Sequence, residues 1–595
     1  MREYTVPAVT EPPTGSLSDP VWANASSHPD TAIFSRRAEG GWLDVSAAEF
    51  ARQVTGVAKG LIAAGVKHGD RVALLSATRY EWTLIDYAIW SIGAVTVPIY
   101  ETSSASQIQW ILTDSEAVVA IAENPAHGAV VESARAEAPS LQEIWQIEAG
   151  AVEELTVLGQ EITDAEFEKR RTAIVPDDLA TLIYTSGTTG RPKGCKISHS
   201  NFIAELGPAV KILDDLFDTT GASTLLFLPL AHVFARIIQV GCVMKLVKVG
   251  HSADVKNLVA DLGEFKPTFI LSVPRVFEKV FNSASQKAHS EGKGKIFDAA
   301  ADTAIAYSQA QDKGGASFGL KAKHALFDRL VYSKLRTVLG GKVDYAVSGG
   351  APLGHRLGHF FRGIGVPVLE GYGLTETTAA VAVNLPDDIR IGTVGRPLPG
   401  VTVGVADDGE LLFKGGQVMQ GYWKNDDATA AAIDADGWFH TGDLGEFDID
   451  GFIKITGRKK EILVTAGGKN VAPAVLEDQI RLHPLVSQCM VVGDGKPFIA
   501  ALITIDPENI VGWATERGKP TDVASLTDDP DLIAEIQKAV DEANSSVSHA
   551  EAIKKFSILP IDWTQESGEL SLKLSLRRHI VMKNHESDVE ALYAK

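Results

Sequence analysis

Residues 179–194 read Leu-Ala-Thr-Leu-Ile-Tyr-Thr-Ser-Gly-Thr-Thr-Gly-Arg-Pro-Lys-Gly. The first six form a short apolar run, which predicts a buried strand. The strand feeds a loop of hydroxyls and glycines that ends in a lysine. Glycines let backbone N–H groups turn towards an anion, hydroxyls donate to phosphate oxygens, and the lysine adds positive charge. The loop lacks the spacing of a Walker A motif. A strand that opens onto an anion-binding loop belongs to an α/β architecture.

The flanking sequence agrees. Upstream, 47–64 reads as a helix, 71–75 as a buried strand, 80–92 as a helix and 94–98 as a strand. Short apolar strands alternating with helices predict parallel βαβ units. The character changes near 457–460. A turn-rich stretch leads to a helix at 473–480, strands at 488–492 and 500–505, and a helix at 530–546. The expected fold is therefore α/β. A large N-terminal domain of βαβ-containing subdomains, 1–457, precedes a small mobile α+β domain, 458–595, whose size is ordinary for a domain.

Composition narrows the functional classes. The 595 residues are 45% apolar and carry a formal net charge of −20. Such an acidic chain argues against nucleic acid as the main partner, because that binding needs a basic surface to displace counterions. The cysteines, Cys195, Cys242 and Cys489, form no CxxC pair and indicate neither a zinc site nor a disulfide framework. A reducing cytoplasm fits. The first 16 residues lack the charged start and apolar run of a signal peptide. The longest apolar stretch, 87–100, contains Pro98 and is too short to span a bilayer.

The segment 282–342 is helical in pattern and rich in lysine. Leu326, Leu330, Val331, Leu335, Val338 and Leu339 are expected on one face. Lys321, Lys323, Arg329, Lys334 and Arg336 decorate the rest. One reading is a helix pair packed on the body of the protein. The other is a basic amphipathic surface in peripheral contact with the inner face of a membrane.

Further motifs follow 179–194 in order. Residues 348–352 read Ser-Gly-Gly-Ala-Pro, 370–377 read Glu-Gly-Tyr-Gly-Leu-Thr-Glu-Thr, and 437–445 read Gly-Trp-Phe-His-Thr-Gly-Asp-Leu-Gly. Residues 455–470 contain Thr-Gly-Arg-Lys-Lys-Glu and then Gly-Gly-Lys-Asn. Five ordered motifs over most of the chain resemble the adenylate-forming superfamily. The strings at 272–279, 348–353 and 354–365, with the lysine-rich insert, resemble its long-chain fatty acid:CoA ligase branch. The resemblance implies ATP, Mg²⁺ and coenzyme A as partners of a long-chain fatty acid. The acid is first converted to acyl-AMP, and the acyl group is then passed to the thiol.

Roles carry over position by position. Thr185, Ser186, Gly187, Thr188, Thr189, Gly190 and Lys193 would cradle the phosphates. Gly349, Gly350 and Ala351 would admit the adenine, with Tyr372 stacked on it. Glu370, Gly371, Gly373 and Thr375 complete that nucleotide motif. Glu376 with Thr185 would hold Mg²⁺, which prefers oxygen ligands. Asp443 would accept the ribose hydroxyls, and Arg458 would bind nearby. His232 would sit beside the acyl carboxylate and shape access for the thiol. Lys460 would be the pivot for rotation of the small domain, which would present Gly467, Gly468 and Lys469 towards the pantetheine.

The tail departs from the pattern. Residues 568–579 read Gly-Glu-Leu-Ser-Leu-Lys-Leu-Ser-Leu-Arg-Arg-His. Aligned without a gap, the family's late catalytic lysine falls on Ser575. Lys573 precedes it by two residues, about 6.5 Å away on the same face of an extended segment. Lys573 is the expected catalytic lysine. A chain in which serine replaces it would instead be an impaired nucleotide or acyl binder. An acyl-AMP ligase that delivers to a carrier protein is the remaining alternative.

Overall fold

The computed structural model describes residues 1–9, 11–38, 40–185, 191–571 and 576–594. Two largely parallel sheets form its centre. The first runs, in spatial order, Glu143–Gln146, Val119–Ala122, Arg71–Leu75, Val95–Ile99, Leu179–Thr185 and Lys193–Ser198. Its first five strands are parallel and the last is antiparallel. The second has nine strands. Thr224 and its neighbours, Phe269–Ser272, Tyr345–Ser348 and Val368–Tyr372 are its parallel centre. The strands predicted at 71–75, 94–98 and 179–184 occur to within a residue. Each is buried on both faces, as helix-covered parallel strands require.

The expectation of βαβ units missed a third sheet. Arg2–Thr5, Thr402–Val405, Glu410–Lys414, Phe439–Phe447 and Ile453–Arg458 form five antiparallel strands. Its strands are far apart in sequence, so no local alternation with helices announces it.

A buried ion pair ties the two central sheets together. Arg236 and Asp86 are both fully buried, and the guanidinium Nε donates to Asp86 Oδ2 at 2.8 Å. Arg236 also donates to Thr181 Oγ1 at 2.7 Å, and Asp86 accepts from Thr96 Oγ1 at 2.6 Å. Thr96 and Thr181 are register partners in the first sheet. Arg236 lies in the helix Val233–Met244, which packs against the second sheet. A buried charge pair is tolerated only when its remaining hydrogen-bonding capacity is met, as it is here. The pair fixes how that helix, and His232 at its N-cap, sit against the first sheet.

The C-terminal region has its own three-stranded sheet. Val486–Val492 pairs antiparallel with Ile499–Ile505, which pairs parallel with Ile553–Leu559. The helices Pro473–Ile480 and Pro530–Asn544 pack against it around a separate apolar core.

The insert differs from its expected form. It comprises the helices Pro274–Ser290, Gly294–Gln311 and Phe318–Phe327, a π-helical turn Asp328–Tyr332 and a helix Ser333–Val338. Phe327, Tyr332, Leu335 and Leu339 are buried. Leu326, Leu330 and Val338, expected beside Leu335 and Leu339, are exposed. The π turn is the reason. Its extra residue rotates everything beyond it by about 100° relative to a continuous α-helix. No periodicity count that assumes 3.6 residues per turn can join the two sides. Among the described residues no helix is long and apolar enough to cross a membrane. The three cysteines are buried.

Candidate functional site

The nucleotide motifs lie at the carboxyl ends of the parallel strands, where such sheets bind ligands. Tyr345–Ser348 delivers Gly349, Gly350 and Ala351, and Val368–Tyr372 delivers Glu370, Gly371 and Tyr372. Ser348 and Glu370 are register partners, so the two motifs emerge side by side. A Cβ on Gly349 would stand 3.1 Å from the Phe234 ring and 3.5 Å from Gly371 O. Gly350 adopts φ +82° with open space beside it. A side chain would be strained there and would occupy that space.

The Glu370 carboxylate faces inward and accepts the Leu353 N–H at 3.0 Å. Burial pushes its carboxyl up to about 7. The side chain therefore braces the 349–353 loop.

Two clusters form around these strands. In the first, Tyr372 donates its hydroxyl to Asp443 Oδ2 at 2.6 Å, and Arg458 Nε lies 3.0 Å from Asp443 Oδ1. Asp443 and Arg458 are register partners on adjacent strands of the antiparallel sheet, which sets their spacing. Burial pushes the Asp443 carboxyl up, and Arg458 opposes that shift. Tyr372, with its phenol tied to Asp443, is pushed well above its usual range by burial.

In the second cluster, Tyr422 donates to Glu376 Oε1 at 2.9 Å, and Lys193 Nζ lies 4.9 Å from the centre of the Tyr422 ring. Thr185 is the register partner of Lys193 at the mouth of the loop, and its hydroxyl lies 3.9 Å from Cys195 Sγ. The clusters adjoin, because the charge of Glu376 acts on both Asp443 and Arg458. Five stretches of sequence thus bring two cations, two carboxylates and two phenols to one crevice.

A magnesium ion fits this chemistry. Glu376 is a half-buried carboxylate with one oxygen engaged by a neutral phenol, and Thr185 supplies a hydroxyl. Both are hard oxygen donors. Mg²⁺ normally completes its shell with waters and substrate phosphates rather than with a protein cage. Consistently, no group of three His, Cys, Asp or Glu side chains that could hold a metal occurs among the described residues.

His232 caps the helix Val233–Met244, and its Nδ1 accepts the Phe234 N–H at 3.1 Å. Thr375 is buried in the short turn Thr375–Thr377. A Cβ on Gly373 would fall 1.5 Å from Ala379 O, so only glycine fits there. Lys460 is exposed in the turn Lys459–Glu461. Gly467 and Gly468 lie at the tip between Leu463–Val464 and Asn470–Val471, and Lys469 Nζ is 3.4 Å from Glu551. Ser186, Gly187, Thr188, Thr189 and Gly190, and likewise Lys573 and Ser575, lie outside the described residues.

No motif singles out Tyr422. Its only sequence signal is an aromatic pair after a glycine, Gly421-Tyr422-Trp423, shortly before the 437–445 motif.

The family model described as AMP-binding enzyme matches residues 21–423, and that of the AMP-binding enzyme C-terminal domain matches 460–595. The chain is 54% identical to the long-chain-fatty-acid–CoA ligase FadD15 of Mycobacterium bovis over the whole of both proteins. It is 38% identical to the putative fatty-acid–CoA ligase fadD11 of Mycobacterium tuberculosis, covering 72% of this chain and 76% of that one. A solved carboxylate reductase adenylation domain from Mycobacterium chelonae superposes with a TM-score of 0.73 at 24% identity, covering 98% and 91%. A Mycobacterium tuberculosis fatty acyl CoA synthetase does so with a TM-score of 0.63 at 21%, covering 96% and 99%. These two structures share the fold.

Proposed function

The chain belongs to the AMP-binding enzyme family, and we propose that it is a long-chain fatty acid:CoA ligase, an AMP-forming acid–thiol ligase using ATP, Mg²⁺ and coenzyme A. The observation that carries the chemistry is the convergence of Lys193, Glu376, Asp443 and Arg458 on one crevice. The fatty acid and the thiol acceptor rest on the full-length similarity to FadD15.

A free carboxylate is a poor electrophile. Its oxygen attacks the α-phosphorus of ATP, the bond to the β-phosphate bridge oxygen breaks, and pyrophosphate leaves acyl-AMP behind. The thiol of coenzyme A gives up its proton, attacks the acyl carbonyl and expels AMP. Cations aimed at the phosphates stabilise the charge of the in-line transition state. Lys193 fills that role, and Arg458 holds Asp443 on the ribose side. Bound Mg²⁺ neutralises phosphate charge, with Glu376 and Thr185 as its protein ligands.

The domain boundary in this reading lies at 457–460, with 1–457 as the large domain and 458–595 as the small one. Lys460 is the pivot and Gly467, Gly468 and Lys469 face the pantetheine. Exposed Lys460, in a three-residue turn between two strands, suits a hinge.

The test is pyrophosphate release with palmitate, followed by thioester formation with coenzyme A, extended over a chain-length series. Both products are expected. Pyrophosphate without thioester would favour the carrier-protein ligase, and neither would favour the impaired binder.

The same reading includes peripheral contact with the membrane that holds the substrate. Its surface is not the stripe expected from periodicity but the outward face of the insert. Phe318 is 88% exposed, Leu326 56% and Leu330 48%. Lys321, Lys323, Arg329 and Lys334 are exposed around them. Between 313 and 342 the chain has seven Lys and Arg against one Asp, in a protein of net charge −20. Apolar anchors flanked by cations suit an anionic bilayer surface. Flotation with phosphatidylglycerol vesicles should recover the protein, and phosphatidylcholine vesicles should recover little. Phe318→Ser with Leu326→Ser and Leu330→Ser should weaken binding about tenfold or more. Equal binding by that variant rules the surface out.

A further inference from the structure

We infer that Glu205 is a positioning residue that holds Glu376 in place through the backbone of Ala380. This rests on the reading of Glu376 as a magnesium ligand.

Glu205 lies in the helix His199–Ile212, and its side chain is buried. It takes no part in the chemistry above. Its Oε1 accepts the Ala380 N–H at 2.8 Å, and its Oε2 is buried with no hydrogen-bond partner. Burial pushes its carboxyl well above the ordinary range. A buried acid with one oxygen spent on a single N–H is an expensive way to cap a loop, since an unpaired buried polar atom carries its full desolvation cost. The loop it caps explains the expense.

That loop carries Glu376 and is strained behind it. Thr378 has φ +64° and Ala379 φ +150°, both unusual for side-chain-bearing residues. Such conformations persist only where surrounding contacts enforce them. Several do. Thr378 donates its hydroxyl to Gln417 O at 2.6 Å, and Met419 N–H donates to Glu376 O at 2.8 Å. The helix His199–Ile212 then grips both strands of this pair from one face. Asn201 donates from Nδ2 to Gly416 O at 2.7 Å and to Val418 O at 3.0 Å. One turn later, Glu205 takes the Ala380 N–H. Residues four apart share a helix face, so the two side chains act as adjacent teeth of one clamp. Asn201 holds the segment that hydrogen-bonds Glu376 O. Glu205 holds the exit of the turn. Without Glu205, Thr378 and Ala379 can relax and Glu376 swings with them.

The test is ATP binding by calorimetry, with Mg²⁺ and with excess EDTA, in the parent protein and in Glu205→Met, Glu205→Gln and Glu376→Gln. Glu205→Met replaces the acid by an apolar chain of similar volume, and Glu205→Ala replaces it where the Met variant does not fold. Glu205→Gln keeps the acceptor oxygen. Loss of Glu205 should weaken ATP binding about tenfold in Mg²⁺ and leave binding in EDTA within about twofold, because a small displacement of a ligand group is costly only where the group acts. Glu205→Gln should match the parent in both. The inference is overturned if Glu205→Met and Glu205→Ala bind like the parent in Mg²⁺, or lose affinity equally in both conditions. If Glu376→Gln itself shows no magnesium-dependent loss, the reading of Glu376 fails and takes this inference with it.

Discussion

Replacing Asp443 by alanine lowers ATP-dependent pyrophosphate release by about 10²-fold or more, and most of the loss lies in ATP binding. The reason is how many groups depend on one buried carboxylate. Asp443 is 3% exposed and accepts the Tyr372 hydroxyl at 2.6 Å, with Arg458 Nε 3.0 Å away. An ionised carboxylate has about four acceptor sites, so these partners leave room for ribose hydroxyls. Truncating one member of a buried, hydrogen-bonded charge pair costs about 2–5 kcal/mol. Each 1.4 kcal/mol is about tenfold in binding. Asp443→Asn keeps an acceptor for Tyr372 but loses the charge facing Arg458, so its activity should fall between parent and alanine. The measurement is a coupled pyrophosphate assay over ATP concentration, with a thermal melt to confirm folding. An Asp443→Ala protein with unchanged KM for ATP would remove Asp443 from the nucleotide site.

The second large effect divides the two half-reactions. Lys573→Ala should lower acyl-adenylate formation by about 10²–10³-fold, the loss typical of one preorganised group facing developing charge. Thioester formation from supplied acyl-AMP should stay within about twofold, because no α-phosphate attack remains in that step. Ser575→Ala should change neither. These residues decide whether the tail is competent, since family alignment puts serine where long-chain members carry lysine. Their described neighbours, Leu570 and Leu576, form an antiparallel bridge. If Lys573→Ala leaves pyrophosphate release intact, the catalytic cation comes from elsewhere in the protein.

Much of the site is legible in the amino-acid sequence. The motif glycines, Tyr372, Glu376, Asp443 and Arg458 stand out from strings alone, because their chemistry requires particular residue types at fixed local spacing. Glu370 is legible only as part of its motif. Its carboxylate braces Leu353, and that orientation depends on a loop from the neighbouring strand. His232 is legible as a residue near the acyl end, while its role as a helix cap depends on where the helix Val233–Met244 begins. Tyr422 and Glu205 are not legible. Each acts on a group distant in sequence, Tyr422 on Glu376 46 residues away and Glu205 on Ala380 175 residues away.

The insert teaches the same lesson at the level of elements. Its basic composition is plain, and so is its helical character. Which apolar residues face water depends on a π turn at Asp328–Tyr332, whose single extra residue turns Leu326 and Leu330 outward while Leu335 and Leu339 pack inward. The sequence by itself determined the parallel α/β core, the phosphate loop after Leu179–Thr185 and the residue types of the nucleotide site. These follow from hydrophobic period and local backbone requirements, which act over a few residues. Only the tertiary structure decided the antiparallel sheet that pairs Asp443 with Arg458, the meeting of Lys193, Tyr422 and Glu376, and the clamp formed by Asn201 and Glu205. Those are contacts between segments far apart along the chain, and they exist only once burial of the shared core has brought the segments together.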